Sequence, residues 1–281
     1  IPLARGSIIT CTDPIVPNSS ALNWPGVFYW SNSSSNEFYS LWGSAGLSST
    51  KTEITFTHGT WRWTESDASM VTDVGLICHS DGSGNPVAHV LNTTTGATVN
   101  TTDLGYGGTI SSQYCDVLFW KDSTEAIIAY ENGLSDNSLQ LRTYTYPSGL
   151  SSAQSVTFTA PATGNGRMEW FSIKQRPGAT EAAIGWHDLG GTNNSIGFVL
   201  WAKTGGKFFT WTSNASFIPY AGGGNRFDLA WTADGSKLII LLSNVPNSSG
   251  ATTYYFVYDR NANIAIRGRE AIVDIGYKSE G

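Results

Sequence analysis

The hydrophobic positions of this chain fall into short runs, separated by polar segments rich in Gly, Ser, Thr and Asn. Runs such as CDVLFW from Cys115 and FDLAW from Phe227 are short and apolar and are bounded by turn residues, which is typical of β-strands. Long amphipathic segments with helical spacing are missing. The pattern therefore predicts an all-β protein of short strands joined by polar turns.

An internal repeat organises these strands. The segments that begin at Thr124, Thr180 and Ser236 each read as strand, polar loop, strand and turn, and weaker copies begin at Val27 and Val74. The predicted hairpins start at positions 27, 74, 126, 183 and 238, so successive copies are 47 to 57 residues apart. Apolar strands before and after the hairpins complete units of four strands.

Repeats of this length, built from four antiparallel strands, are typical of β-propeller blades. We therefore predict an all-β, five-bladed β-propeller of four-stranded antiparallel blades, formed by a single domain over residues 1–281. A sixth blade stays open as an alternative. The segment from Val273 is predicted to close the ring beside the N-terminal strand SIITCTD.

Charge and composition narrow the set of partners and the compartment. The net charge is -6 and the pI is near 5.1, without a cluster of Lys or Arg, which argues against binding to nucleic acid. No apolar run is long enough to predict membrane insertion, and a first residue Ile1 suggests a processed, secreted, extracellular protein. Seven glycosylation sequons support export; they begin at Asn18, Asn32, Asn92, Asn100, Asn193, Asn214 and Asn247.

The three cysteines, Cys11, Cys78 and Cys115, allow one disulfide at most and leave its pairing open. Their spacing shows no zinc pattern, and we predict neither a metal nor another cofactor.

Candidate chemistry lies at the start of the first strand of each blade, because these strands line the channel of a propeller. Aligning the first strands places Thr60 in blade two and acids in the others: Asp13, Asp116, Glu169, Asp228 and Asp274. Crowded carboxylates shift one another's pKa, which suits a pair of acids that cleaves a glycosidic bond. The alternative interpretation is that a repeated acid accepts backbone hydrogen bonds from the neighbouring blade.

Three motifs resemble the five-bladed inverting glycosidases of glycoside hydrolase families forty-three and sixty-two. They are Thr12-Asp13-Pro14-Ile15, Cys115-Asp116-Val117 and Met168-Glu169-Trp170, the last followed by Lys174. The resemblance implies that Asp13 is the general base, that Glu169 is the general acid and that Asp116 tunes the pKa of that acid. It also implies an oligosaccharide or polysaccharide substrate of plant or microbial type.

Two noncatalytic functions remain open beside hydrolysis. Eleven Trp are compatible with a sugar-binding propeller lectin, because indole faces stack on sugar rings. We expect Trp24, Trp170, Arg226 and Asp228 to border the sugar site. A noncatalytic surface adhesion module fits the same fold and glycosylation.

Overall fold

The computed structural model describes a little over half of the chain. The described residues are 26–31, 37–43, 46–47, 52–54, 64–69, 71–80, 86–92, 95, 97–104, 115–121, 123–131, 138–151, 154–157, 168–188, 195–212, 226–244, 252–262 and 264–272. Within these ranges all regular secondary structure is β-strand, and the strands form five antiparallel sheets.

Sheets one, two and three are formed by the first thirteen strands. Sheet one contains β1 (Gly26–Ser31), β2 (Glu37–Gly43), β3 (Gly46–Leu47) and β4 (Thr52–Ile54). Sheet two contains β5 (Thr64–Ala68), β6 (Val74–Ser80), β7 (Pro86–Asn92) and β8 (Thr98–Asp103), which are neighbours in chain order. Sheet three contains β9 (Cys115–Phe119), β10 (Glu125–Glu131), β11 (Ser138–Thr145), β12 (Gly149–Leu150) and β13 (Gln154–Thr157).

Sheets four and five are four-stranded meanders, in which each strand pairs with the next along the chain. Sheet four contains β14 (Met168–Gln175), β15 (Glu181–Asp188), β16 (Ser195–Ala202) and β17 (Gly206–Thr212). Sheet five contains β18 (Arg226–Trp231), β19 (Lys237–Asn244), β20 (Thr252–Asp259) and β21 (Ile264–Ile272). The order of strands across both sheets is the chain order.

The predicted repeat of antiparallel sheets is confirmed. The five predicted hairpins begin at β1, β6, β10, β15 and β19, each within two residues of the expected position. Sheet three has five strands because β12 and β13 both pair with β11. The number of blades and the closure of a ring stay predictions, since the segments proposed to close the ring lie outside the described residues.

The chain divides into two compact units. The first unit holds residues 1–134 and 140–155, and the second holds residues 135–139 and 156–281. Sheets one and two therefore belong to the first unit, together with most of sheet three, and sheets four and five belong to the second. The expectation of a single domain stays a prediction.

Each unit has its own apolar core between two sheets. In the first unit, Leu76 and Val90 of sheet two pack with Ile128 and Tyr130 of sheet three. A disulfide between Cys78 on β6 and Cys115 on β9 crosses the same core. This settles the cysteine pairing that the sequence left open; Cys11 lies outside the described residues.

In the second unit, the buried side chains of sheets four and five form a comparable core. Phe198 of β16 meets Tyr258 of β20 edge to face, with ring centroids 4.9 Å apart. Gly185 of β15 allows the close approach of sheet five, because a Cβ on this residue would lie 2.6 Å from Cζ of Phe227. Burial of this apolar surface supplies most of the stabilisation of such a core.

The turn between β18 and β19 shows how local sequence fixes a hairpin. Oδ1 of Asp234 accepts hydrogen bonds from Oγ of Thr232 at 2.6 Å and from N of Ser236 at 3.0 Å. Gly235 follows with a φ of +65°, a conformation that glycine adopts without strain. The hydrogen bonds from Thr232 and Ser236 hold the pKa of Asp234 well below its usual value.

Candidate functional site

The first strands of sheets four and five, β14 and β18, lie side by side in the second unit. Oγ of Ser172 on β14 donates to Oδ1 of Asp228 on β18 at 2.7 Å. Nε1 of Trp231 on β18 donates to the backbone carbonyl of Lys174 at 3.0 Å. Side chains rather than a backbone ladder therefore connect these two strands.

Asp228 is held at one oxygen and open at the other. Its Oδ1 accepts the N–H of Leu229 at 2.8 Å as well as the hydroxyl of Ser172, and Nζ of Lys174 lies 3.9 Å away. The side chains of Asp228 and Lys174 are 59% and 40% exposed. Among the described residues, no group contacts Oδ2. We name Ser172, Lys174 and Asp228 the Asp228 cluster; it presents a fixed acceptor beside a cationic donor.

The acids on first strands of the other unit are engaged by the backbone. Asp116 is half-buried at the start of β9, and its Oδ1 accepts the N–H of Val117 at 2.7 Å. Asp67 on β5 accepts the N–H of Ala68 at 2.8 Å and, through Oδ2, the N–H of Phe119 on β9 at 2.6 Å. These contacts fit the interpretation in which such acids satisfy backbone donors.

The register of β14 differs from the predicted alignment of the acids. The backbone N–H that closes the first hairpin belongs to Trp120 in sheet three, to Arg176 in sheet four and to Thr232 in sheet five. The residues four positions earlier are Asp116, Ser172 and Asp228, respectively. Glu169 lies three residues before Ser172, and a β-bulge separates the two. Ser172 therefore takes the position that the comparison of first strands in the sequence gave to Glu169. Glu169 pairs with His187, two residues beyond Gly185, the partner of Ser172, so the extra residue in the bulge accounts for only one of the three residues of the offset.

The remaining predicted sugar-site residues are only partly described. Asp13 and Trp24 lie outside the described residues, as do Thr60 and Asp274. Glu169 and Trp170 are consecutive residues of β14, and Arg226 begins β18, two residues before Asp228. Asp116 belongs to the first unit and Glu169 to the second. The catalytic assignment of Asp13, Asp116 and Glu169 thus stays a prediction.

Two sequons fall on described residues, Asn92 at the end of β7 and Asn100 inside β8. Oδ1 of Asn92 accepts hydrogen bonds from N and Oγ1 of Thr95 at 2.8 and 3.1 Å. Asn100 is exposed. The sequons at Asn18, Asn32, Asn193, Asn214 and Asn247 lie outside the described residues, so glycosylation stays a prediction.

A second charged group of the second unit serves packing rather than recognition. Glu181 on β15 is 8% exposed, and its carboxylate accepts hydrogen bonds from Nε and Nη2 of Arg260 at 2.7 and 3.1 Å. These hydrogen bonds raise the pKa of Arg260. Arg176 lies 3.7 Å from Glu181 and donates from Nε to the carbonyl of Gly235 at 2.8 Å. The network joins sheets four and five beside the hairpin turns, and no sequence motif pointed to it.

Two of the four histidines form a buried pair in sheet two. Nε2 of His79 on β6 lies 2.7 Å from Nε2 of His89 on β7, and their rings are within 8° of parallel with centroids 4.8 Å apart. An N···N distance this short requires the rings to meet edge to edge through one shared hydrogen, not face to face. His89 also contacts Oγ1 of Thr101 through Nδ1 at 2.9 Å. Both rings are buried, so the pair packs within sheet two.

Within the described ranges, no group of three or more His, Cys, Asp or Glu side chains is arranged to hold a metal ion. Within the same ranges, none of the elements is a helix that could cross a membrane.

Comparison with known proteins identifies the fold type. No protein-family profile matches the chain, and no curated protein matches its sequence. Among solved structures, AofleA from Arthrobotrys oligospora is similar with a TM-score of 0.55 at 8% identity, covering 88% of this chain and 68% of that one. The Aleuria aurantia lectin, a fungal six-bladed β-propeller, is similar with a TM-score of 0.53 at 12% identity, covering 90% and 76%.

Two further structures belong to carbohydrate-related proteins. The SapL1 lectin is similar with a TM-score of 0.52 at 11% identity, covering 86% of this chain and 75% of that one. An exo-β-1,3-galactanase from Phanerochaete chrysosporium is similar with a TM-score of 0.44 at 12% identity, covering 82% and 52%. The all-β sheets and the three similar structures with TM-scores above 0.5 support a propeller-type fold.

Proposed function

We propose that this protein is a secreted, glycosylated carbohydrate-binding β-propeller of the lectin class. The observation that carries the proposal is the Asp228 cluster: Oδ1 of Asp228 is fixed by two hydrogen bonds and lies 3.9 Å from the ammonium group of Lys174, whereas Oδ2 accepts no hydrogen bond from a described residue. Vicinal hydroxyls of a sugar each donate and accept a hydrogen bond. They can therefore donate to Oδ2 of Asp228 and accept from Nζ of Lys174, both of which are charge-assisted hydrogen bonds.

The fold neighbours support the same choice. The Aleuria aurantia lectin recognises fucose, and the structure of the SapL1 lectin is a complex with α-methyl fucoside. Fucosylated oligosaccharides are therefore the first ligands to test here. Ser172 occupies the position on β14 that acids occupy on β9 and β18, which favours binding over catalysis.

Secretion is supported by the disulfide as well as by the sequons. Disulfides persist in oxidising compartments and are rare in the cytosol. The Cys78–Cys115 bond is thus what a protein of the export pathway would carry.

The test is binding of wild type, Asp228→Asn and Asp228→Ala to an array of fucosylated and non-fucosylated glycans, followed by calorimetry. Losing a hydrogen bond to a charged group costs about 1.5–3 kcal/mol, so we expect affinity to fall by at least about tenfold. Asp234→Asn is the matched control, because it removes an exposed acid of the same unit whose carboxylate is engaged in a turn. Unchanged affinity of Asp228→Asn would refute this site, and a wild type that binds no glycan would refute the function.

An inverting glycoside hydrolase is the second candidate. It is favoured by Asp116, a half-buried carboxylate at the start of β9, where the family resemblance expects the acid that tunes the pKa of the general acid. Hydrolysis of arabinan, xylan and galactan fragments by wild type and Glu169→Gln tests it. Turnover by wild type that Glu169→Gln abolishes, with glycan binding retained, would support catalysis over binding alone.

A further inference from the structure

Strand β8 is the outermost strand of sheet two and is open to solvent. Among the described strands it pairs with β7 only, and residues 97–101 are exposed. Val99 is 58% exposed. An outermost strand presents unpaired backbone N–H and C=O groups, which are a template for pairing with another chain.

The other outermost strands carry features that limit such pairing. β3 and β12 have two residues each, β4 has three and β13 has four. The longer strands β17 and β21 contain basic residues, Lys207 in the first and Arg267 and Arg269 in the second. Short length and charged side chains both discourage pairing of edges.

Strand β8 is longer than those short strands and has no basic residue, and its one charged residue is Asp103 at its end. Its six residues read TVNTTD, which contains no Lys, Arg or Pro and is rich in β-branched residues. The pairs Val90–Asn100 and Leu91–Thr98 leave Val99 as an extra residue, so β8 carries one bulge, which itself limits pairing next to Val99. The strand is otherwise regular, and the hydrogen bond between Thr101 and His89 fixes it against β7.

The sequon Asn100-Thr101-Thr102 lies in the middle of this strand. Asn100 is opposite Val90 of β7 and is exposed, so a glycan on it would stand at the open edge. We propose that an N-linked glycan at Asn100 covers the edge of β8 and prevents it from pairing with the same edge of a second copy of this chain. The inference rests on the proposed secretion and glycosylation, and it is independent of sugar binding by the Asp228 cluster.

The test compares wild type with two variants of the sequon, all secreted from a glycosylating eukaryotic host. Thr102→Ala removes the glycan while keeping Asn100, and Thr102→Ser is the matched control that keeps the sequon. Mass spectrometry of the peptide that contains Asn100 measures occupancy. Light scattering after size exclusion, over increasing protein concentration, measures self-association.

We expect an occupied Asn100, monomeric wild type and Thr102→Ser, and a several-fold larger oligomeric fraction for Thr102→Ala. Adding Val99→Lys to Thr102→Ala should restore the monomer, because a lysine protects the edge in place of the glycan. If Thr102→Ala is not secreted, enzymatic trimming of the glycans on folded wild type makes the same comparison. An unoccupied Asn100, or unglycosylated protein that remains monomeric, would overturn the proposal whatever the glycan array shows.

Discussion

Removing the disulfide between Cys78 and Cys115 should destabilise the first unit strongly and locally. The two cysteines are 37 residues apart in sequence, and both are buried, with 0% and 3% exposure. Restricting a loop of this length in the unfolded chain stabilises the folded state by about 4 kcal/mol in the chain-entropy treatment. Cys78→Ala/Cys115→Ala should therefore lower the free energy of unfolding by about that amount, plus a smaller loss of packing.

Hydrogen exchange read by mass spectrometry is the suitable assay, because it reports each strand separately. A loss of about 4 kcal/mol corresponds to roughly a thousandfold faster exchange from states in which the first unit has opened. We expect this acceleration in β6, β7, β9 and β10 of the first unit. Strands β15 and β16 of the second unit, which the disulfide does not touch, should change much less.

Cys11→Ser is the control, because Cys11 is not part of the disulfide. It should exchange like wild type, both before and after addition of a reductant. The reasoning would be refuted if the double variant exchanged within a fewfold of wild type in β6 and β9. Equal acceleration in β15 and β16 would also refute the local effect.

Three further predictions concern the second unit. Glu181→Gln should lower the free energy of unfolding by about 2 kcal/mol, because it leaves the guanidinium of Arg260 without its carboxylate partner. Urea unfolding of the two single variants Glu181→Gln and Arg260→Gln and of the double variant measures the coupling energy between the two side chains. Burial raises the pKa of Tyr258 to about 12, so the folded state keeps a proton that the unfolded chain releases above pH 10. The free energy of unfolding of wild type should therefore fall relative to that of Tyr258→Phe between about pH 10 and 12. Parallel plots of unfolding free energy against pH for the two proteins would contradict this. Gly185→Ala should cost about 1–3 kcal/mol, because its Cβ would displace Phe227, and thermal unfolding against Ala182→Gly as a backbone control measures it.

The sequence predicts the strands well where turns are short and chemically defined. The hairpin from β18 to β19 is an example, because Thr232, Asp234 and Gly235 fix its turn within five residues. It predicts the alignment of first strands poorly at β14, where the aligned residue is Ser172, three residues after Glu169, and a bulge that the sequence does not reveal accounts for one of these three. Counting back from each hairpin turn would have found Ser172.

Contacts between sheets are harder to predict than contacts within them. The pairing of Cys78 with Cys115 depends on which sheets are neighbours, and three cysteines permit three pairings. The binding of Arg260 to Glu181 joins residues 79 positions apart and has no local signature. The hydroxyl that fixes Oδ1 of Asp228 comes from Ser172 on another strand, so the motif alone could not separate Asp228 from Asp116.

Sheets two and three are connected by a side chain on a first strand, and so are sheets four and five. Asp67 accepts from the main chain of β9, and Asp228 accepts from Ser172 of β14. These hydrogen bonds do not involve the later strands of each sheet, which can therefore differ in length, as β12 and β21 do. A chain made of copied sheets can thus accumulate changes at its periphery while the links between successive copies persist.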